Sequence, residues 1–195
     1  MRRSSFVAFA IATLVATPAL AHTGVGTVSG FASGFGHPVG GLDHLLAMVA
    51  VGILASQQGG KSIWLLPLSF VAMMIVGGIL GAASVALPLV ELGIVGSVIV
   101  LGAVIALGKH LPTGAAMALV GLFAVFHGHA HGTEMPTTAS GVEYGVGFAL
   151  ATAALHAVGL GLGLTVKQIA QKTAPVALRA GGGAIAAAGV FLLAA

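Results

Sequence analysis

Five of the eight histidines in this 195-residue chain fall in two short stretches. These are His37-Pro38-Val39-Gly40-Gly41-Leu42-Asp43-His44 and Phe126-His127-Gly128-His129-Ala130-His131-Gly132-Thr133-Glu134. Imidazole nitrogens with carboxylate oxygens suit nickel, cobalt, zinc or copper(II). The sequence contains no cysteine, which excludes thiolate sites, disulfides and a cysteine nucleophile, so any metal must be held by nitrogen and oxygen.

The spacing places these groups relative to one another. On a helix ending near Gly132, His127, His131 and Glu134 follow i, i+4, i+7 and share a stripe, while His129 points about 160° away. With another helix beginning at Pro38, a residue suited to the first helical position, His44 lies about 9 Å below the helix end and His127 about 7.5 Å below its own. Those two are level, and His37 and Glu134 are level at the mouth above them, giving two tiers. Along a straight helix His37 and His44 are about 10.5 Å apart, so either Gly40-Gly41 distorts the turn or His37 serves the upper tier. Asp43 is placed to ligate across a helix junction or to orient an imidazole as its acceptor. Its charge also offsets the positive helix N-terminus that would repel a cation. A lone histidine inside a span is more often a core residue bonded to a carbonyl. Here His37, Asp43, His44, His127, His131 and Glu134 converge at one end, and a metal or proton site accounts for them better, with His129 the odd one out.

The elements that must position these groups are membrane helices. Hydrophobic residues make up 58% of the chain, charged residues 6%, and mean hydropathy is +1.13, outside the range of soluble domains. The pI near 9.8 does not point to nucleic acid, because the lysines and arginines beyond Arg2 and Arg3 are spread singly and make no patch. Residues 1–21 read as a cleavable export signal, with Arg2 and Arg3, an apolar run from Phe6 to Val15, and Ala19-Leu20-Ala21 after Pro18. The mature domain, 22–195, then starts at His22. A Gly/Ser-rich stretch without periodicity, carrying Phe31 and Phe35, leads into apolar spans at 38–57, 63–84, 88–108, 113–132, 141–165 and 175–195, each near the ~20 residues that cross hydrocarbon. The expected fold is therefore all-α, a polytopic bundle of six transmembrane helices with both termini periplasmic. In that topology Lys61, Lys109, Lys167, Lys172 and Arg179 all fall at cytoplasmic ends, as the positive-inside rule requires. Glycines recurring inside the spans, such as Gly77, Gly78 and Gly81, let helices approach closely.

Other candidates are weaker. His156, about 22 Å into the fifth span, is an exit station or a satisfied core histidine. His110 beside Lys109 reads as a loop residue, Met48 and Met73-Met74 as core filling, and Trp64 as an interface anchor. Glu143 and Tyr144 belong at the mouth or in the aromatic belt.

Both clusters carry a resemblance to the HupE/UreJ family, membrane accessory proteins of hydrogenase and urease systems regarded as secondary nickel or cobalt permeases. The family pattern H-P-x-x-G-x-D-H is met by His37, Pro38, Gly41, Asp43 and His44. The second pattern, F-H-G-x-A-x-H-G-x-E, is met by Phe126, His127, Gly128, Ala130, His131, Gly132 and Glu134, with one residue fewer between Ala130 and His131. His129 fills a variable position. The resemblance implies a multi-pass protein of the bacterial inner membrane that imports a divalent metal, nickel before cobalt, for metalloenzyme maturation. It implies no permanently bound cofactor, and its partners are the metal substrate, lipid and cytoplasmic nickel chaperones. No phosphate-binding G-x-x-x-x-G-K-[ST] occurs, so the chain is no nucleotide-driven pump by itself. The alternative is an intramembrane zinc hydrolase, with three ligands, an open position for water and an acid as base. A relay of extra histidines at a mouth exceeds what one catalytic zinc needs, so a non-enzyme is expected.

Overall fold

A run of some twenty Leu, Val, Ile, Ala and Gly leaves every backbone N–H and C=O to be satisfied without water, and only a helix pairs them all within one segment. The computed structural model, which describes residues 30–135 and 140–195, meets this with seven helices. They are α1 (Gly30–Gly40), α2 (Leu42–Gln58), α3 (Ser62–Ala82), α4 (Val90–Leu107), α5 (Thr113–Thr133), α6 (Gly141–Ile169) and α7 (Ala174–Ala194). Helices α3 to α7 are each long and apolar enough to cross a membrane, and α1 with α2 forms a sixth, broken span. The expected signal at 1–21 and His22 lie outside the described residues.

The first span differs from expectation. No helix begins at Pro38; that proline is inside α1, close to its end. The chain then turns through 83° between α1 and α2 at Gly41, whose φ −106°, ψ 128° is extended. The glycines at 30, 34, 36 and 40 deprive α1 of any apolar period, so nothing in its sequence signals a helix. It is helical because it packs on α6: a Cβ at Gly34 would run into the Tyr144 carbonyl, and one at Gly147 into the Phe31 carbonyl. Backbone contact of this kind supplies the stability that propensity does not.

The same device joins α3 to α5. Gly77 and Gly81 lie against the carbonyls of Val125 and His129, and Gly128 and Gly132 against those of Met74 and Gly78. Two small-xxx-small stripes are thus pressed together, which fixes the rotation of α5. Leu54, Leu66, Phe70, Leu101 and Val120 fill the middle, while Leu68, Ile79, Val146 and Phe191 stay exposed on the outside, as contact with lipid requires.

At the end remote from the clustered histidines, side chains cap the helices. Gln58 Nε2 donates to the Lys109 carbonyl at 3.1 Å and its Oε1 accepts from the Leu111 amide at 3.0 Å. Arg179 Nε donates to the Ala106 carbonyl at 2.8 Å, and Lys167 Nζ donates to the Ser56 carbonyl. The Ala106 and Ser56 carbonyls are among those that helix C-termini leave free.

Candidate metal site

The glycine seam between α3 and α5 turns His127 and His131 inward, where their exposures are 0% and 3%. From the other side comes α2, with Asp43 and His44 in its first turn. Gly41 makes room for that pair, since a Cβ there would fall 2.7 Å from Asp43 Oδ1 and 3.2 Å from His44 Nδ1. Beyond the corner, α1 brings His37 back over the same place.

Four imidazoles result in one continuous run. Ring centroids are 4.6 Å apart for His37 and His131, 4.5 Å for His131 and His44, and 4.7 Å for His44 and His127. A carboxylate serves each half. His37 Nε2 donates to Glu134 Oε2 at 3.0 Å in the partly exposed upper part. Deeper down, Asp43 Oδ1 accepts from His44 Nδ1 at 2.8 Å and from the His44 amide at 2.7 Å. One ligand atom each from His37, His131 and Glu134 lies within 4.8 Å of the other two, close enough that the three could hold one metal ion.

The hydrogen bonds settle which nitrogens are free. Asp43 takes the proton of His44 Nδ1, which leaves Nε2 with its lone pair. Ser97 Oγ spends its only proton on the Ile94 carbonyl at 2.6 Å. At 2.9 Å from His127 Nε2 the same oxygen must therefore accept, which leaves His127 Nδ1 bare. Both these bare nitrogens, and both ring nitrogens of His131, are buried without a hydrogen-bond partner. An orphaned buried polar atom costs about 1–3 kcal/mol, and a cation that takes the lone pairs removes that cost.

The surroundings are aromatic. Phe70 stands 5.7 Å from His127, Phe148 4.0 Å from His131 and Tyr144 6.2 Å from His37, centroid to centroid. An apolar shell of this kind limits water around coordinating groups. A cavity of about 480 Å³ between α3, α5 and α6 reaches His131 past Gly78, Gly132, Tyr144 and Phe148.

Of the residues singled out by spacing, His37, Asp43, His44, His127, His131 and Glu134 are brought together. His37 meets Glu134, and His44 meets His127, as the two tiers require, with His131 touching both tiers. The reason differs from the helical arithmetic: His44 is in the first turn of its helix, not about 9 Å down it, and the bend at Gly41 is what lets His37 and His44 face one ring. Asp43 is the acceptor that orients His44. His129 turns away, its Nε2 donating to the Val85 carbonyl at 2.7 Å, and stands outside the cluster. Ser97 and Phe148 were missed; a serine in the middle of an otherwise apolar span was the available signal for Ser97. Glu143 takes part at the start of α6, where its amide donates to Ser140 Oγ at 3.5 Å, and is exposed.

A family model described as HupE / UreJ protein matches residues 10–192. "Protein HupE" of Rhizobium leguminosarum bv. viciae is 45% identical over 180 residues, which covers 92% of this chain and 93% of that protein. No solved structure matches. Together with the apolar helices, these findings make the chain a multi-pass membrane protein.

Proposed function

This chain belongs to the HupE/UreJ family, and on that footing we propose that it is a secondary permease that carries a divalent transition metal, nickel before cobalt, from the periplasm into the cytoplasm for metalloenzyme maturation. The observation that carries the reading is the run of four imidazoles with buried, unpartnered ring nitrogens and a carboxylate at each half. A permease needs ligands that strip water from an ion and then let it go, which successive sites sharing a ligand accomplish better than one closed site. The ion enters at His37 and Glu134, is passed by His131 to His44, and reaches His127. Every group in that series is neutral or anionic when it accepts the cation.

The proposed orientation puts the cluster at the periplasmic mouth and Lys61, Lys109, Lys167 and Arg179 on the cytoplasmic side, in the inner membrane, after removal of residues 1–21. Inward movement of a divalent ion through 100 mV is then favoured by about 4.6 kcal/mol, twice the single-charge value. No permanently bound cofactor is required, and cytoplasmic nickel chaperones are the expected recipients. The zinc hydrolase alternative gains no support from the comparisons.

The test is uptake of nickel, cobalt, zinc and copper by proteoliposomes of the purified protein, with His131→Ala as the partner experiment, because that ring touches both tiers. Saturable nickel or cobalt accumulation that His131→Ala abolishes is expected. Accumulation of neither metal by the wild type, or an unaltered rate in His131→Ala, overturns the reading.

A further inference from the structure

Among the described histidines that the outer cluster does not use, one is buried with both ring nitrogens unpartnered. His156, on α6, is 2% exposed, and neither of its ring nitrogens has a hydrogen-bond partner. A histidine retained merely to fill the core would be expected to bond a carbonyl or hydroxyl, because an unpaired ring nitrogen loses its hydration for nothing. Its position is held firmly. Gly52 of α2 lies against the His156 carbonyl, and a Cβ there would also fall 2.5 Å from the Leu160 amide nitrogen, so α2 and α6 touch through their backbones at this level.

The neighbours of His156 give it chemistry. Phe70 packs on both His156 and the outer cluster, its ring centroid 5.1 Å from that of His156 and 5.7 Å from that of His127. One turn before His156 on the same helix, Thr152 is fully buried, and its Oγ1 donates to the Met74 thioether at 3.6 Å. An imidazole and, one turn away, a hydroxyl bonded to a thioether are therefore buried in the bundle, with Phe70 as the neighbour that this imidazole shares with the last histidine of the run.

We propose that His156, with the Met74 sulfur, is a second and inner metal station that receives the ion from His127 past the ring of Phe70. The proposal rests on the transport reading and extends it to a residue outside the two sequence clusters. An imidazole helped only by a neutral thioether, with no carboxylate, binds a borderline divalent ion such as nickel or cobalt more weakly than the outer cluster does. Weak binding at the inner station suits release, as an outer site of higher affinity suits capture.

The chain has no cysteine, so His156→Cys introduces one thiol at a known depth. Cobalt(II) added to purified His156→Cys is expected to give a thiolate-to-cobalt charge-transfer absorption that the wild type lacks, because a thiolate at this position becomes a ligand. His156→Leu is expected to keep nickel binding at the outer cluster within threefold and the half-saturation concentration for uptake within threefold, while the maximal rate falls at least tenfold. Met74→Leu, which keeps the volume and removes the sulfur, is expected to lower that rate several-fold. If cobalt binds to His156→Cys without the charge-transfer band, or if His156→Leu transports at the wild-type rate, the inner station is refuted while the outer site stands. If the wild type neither binds nor accumulates nickel or cobalt, the transport reading fails and takes this inference with it.

Discussion

Replacing Gly128 by alanine adds a single methyl group at the seam that aims the histidines. A Cβ at this position would sit 2.7 Å from the Met74 carbonyl carbon and 2.8 Å from the Gly78 amide nitrogen, where carbon contacts are comfortable only from about 3.5 Å. Both obstacles are backbone, so no side chain can swing aside, and α3 and α5 must part by roughly 1 Å. Overpacking of this order costs about 1–3 kcal/mol. The functional loss is larger, because His127 and His131 flank Gly128 and meet His44 at 4.7 Å and 4.5 Å, and a site tolerates displacement of only about 0.5 Å. A fall in maximal nickel uptake of about 10- to 100-fold is expected, the range that misplacement by roughly 1 Å gives in other sites. Proteoliposome uptake at equal protein loading measures it, beside thermal unfolding in detergent. Gly145→Ala is the control, since a Cβ there meets nothing within 4 Å. A Gly128→Ala protein with wild-type uptake and unfolding temperature would refute the view that this seam positions the site.

Three further substitutions separate the parts. Glu134→Gln, at the partly exposed mouth where Glu134 pairs with His37 at 3.0 Å, raises the half-saturation concentration and keeps much of the maximal rate; a collapsed rate at saturating metal contradicts a capture role. Asp43→Asn keeps the shape but weakens the acceptor that holds His44 Nδ1 at 2.8 Å, and metal affinity measured by titration should fall about 10- to 100-fold, as for other groups that orient a ligand. Ser97→Ala strands the His127 Nε2 proton that Ser97 accepts at 2.9 Å. Unfolding in detergent should show a loss of about 1–3 kcal/mol, and unchanged stability would argue against the assigned tautomer.

The spans from α3 to α7 were legible because their apolar runs are near the length of the bilayer and end at Gln58-Gly59-Gly60, Pro88, Pro112 and Pro175. The shared stripe of His127, His131 and Glu134 was legible from helical period alone, as was the turn of His129 away from it. The start of the first span was not. Pro38 reads as a first helical residue, and the glycines before it read as a loop, yet α1 is a helix created by its contact with α6, more than a hundred residues later. Contacts of that kind leave no local period. For the same reason Ser97 could not be assigned to His127, because their pairing depends on how α4 and α5 are rotated against each other.

The corner at Gly41 bears on the order in which the protein is made. At 11 residues, α1 is about 16 Å long, too short to cross a bilayer by itself, and the helix that holds it by backbone contact is α6, at Gly34 against Tyr144 and Gly147 against Phe31. When the ribosome has just completed α5, His44, His127 and His131 exist but α6, on which α1 and its His37 are seated, does not. The upper half of the cluster is completed only when α6 emerges and is inserted, so a nascent or truncated chain holds at most the deeper half. The proposed capture of metal at the mouth is thereby tied to near-complete synthesis, and a chain that stops early lacks the His37 half of the cluster.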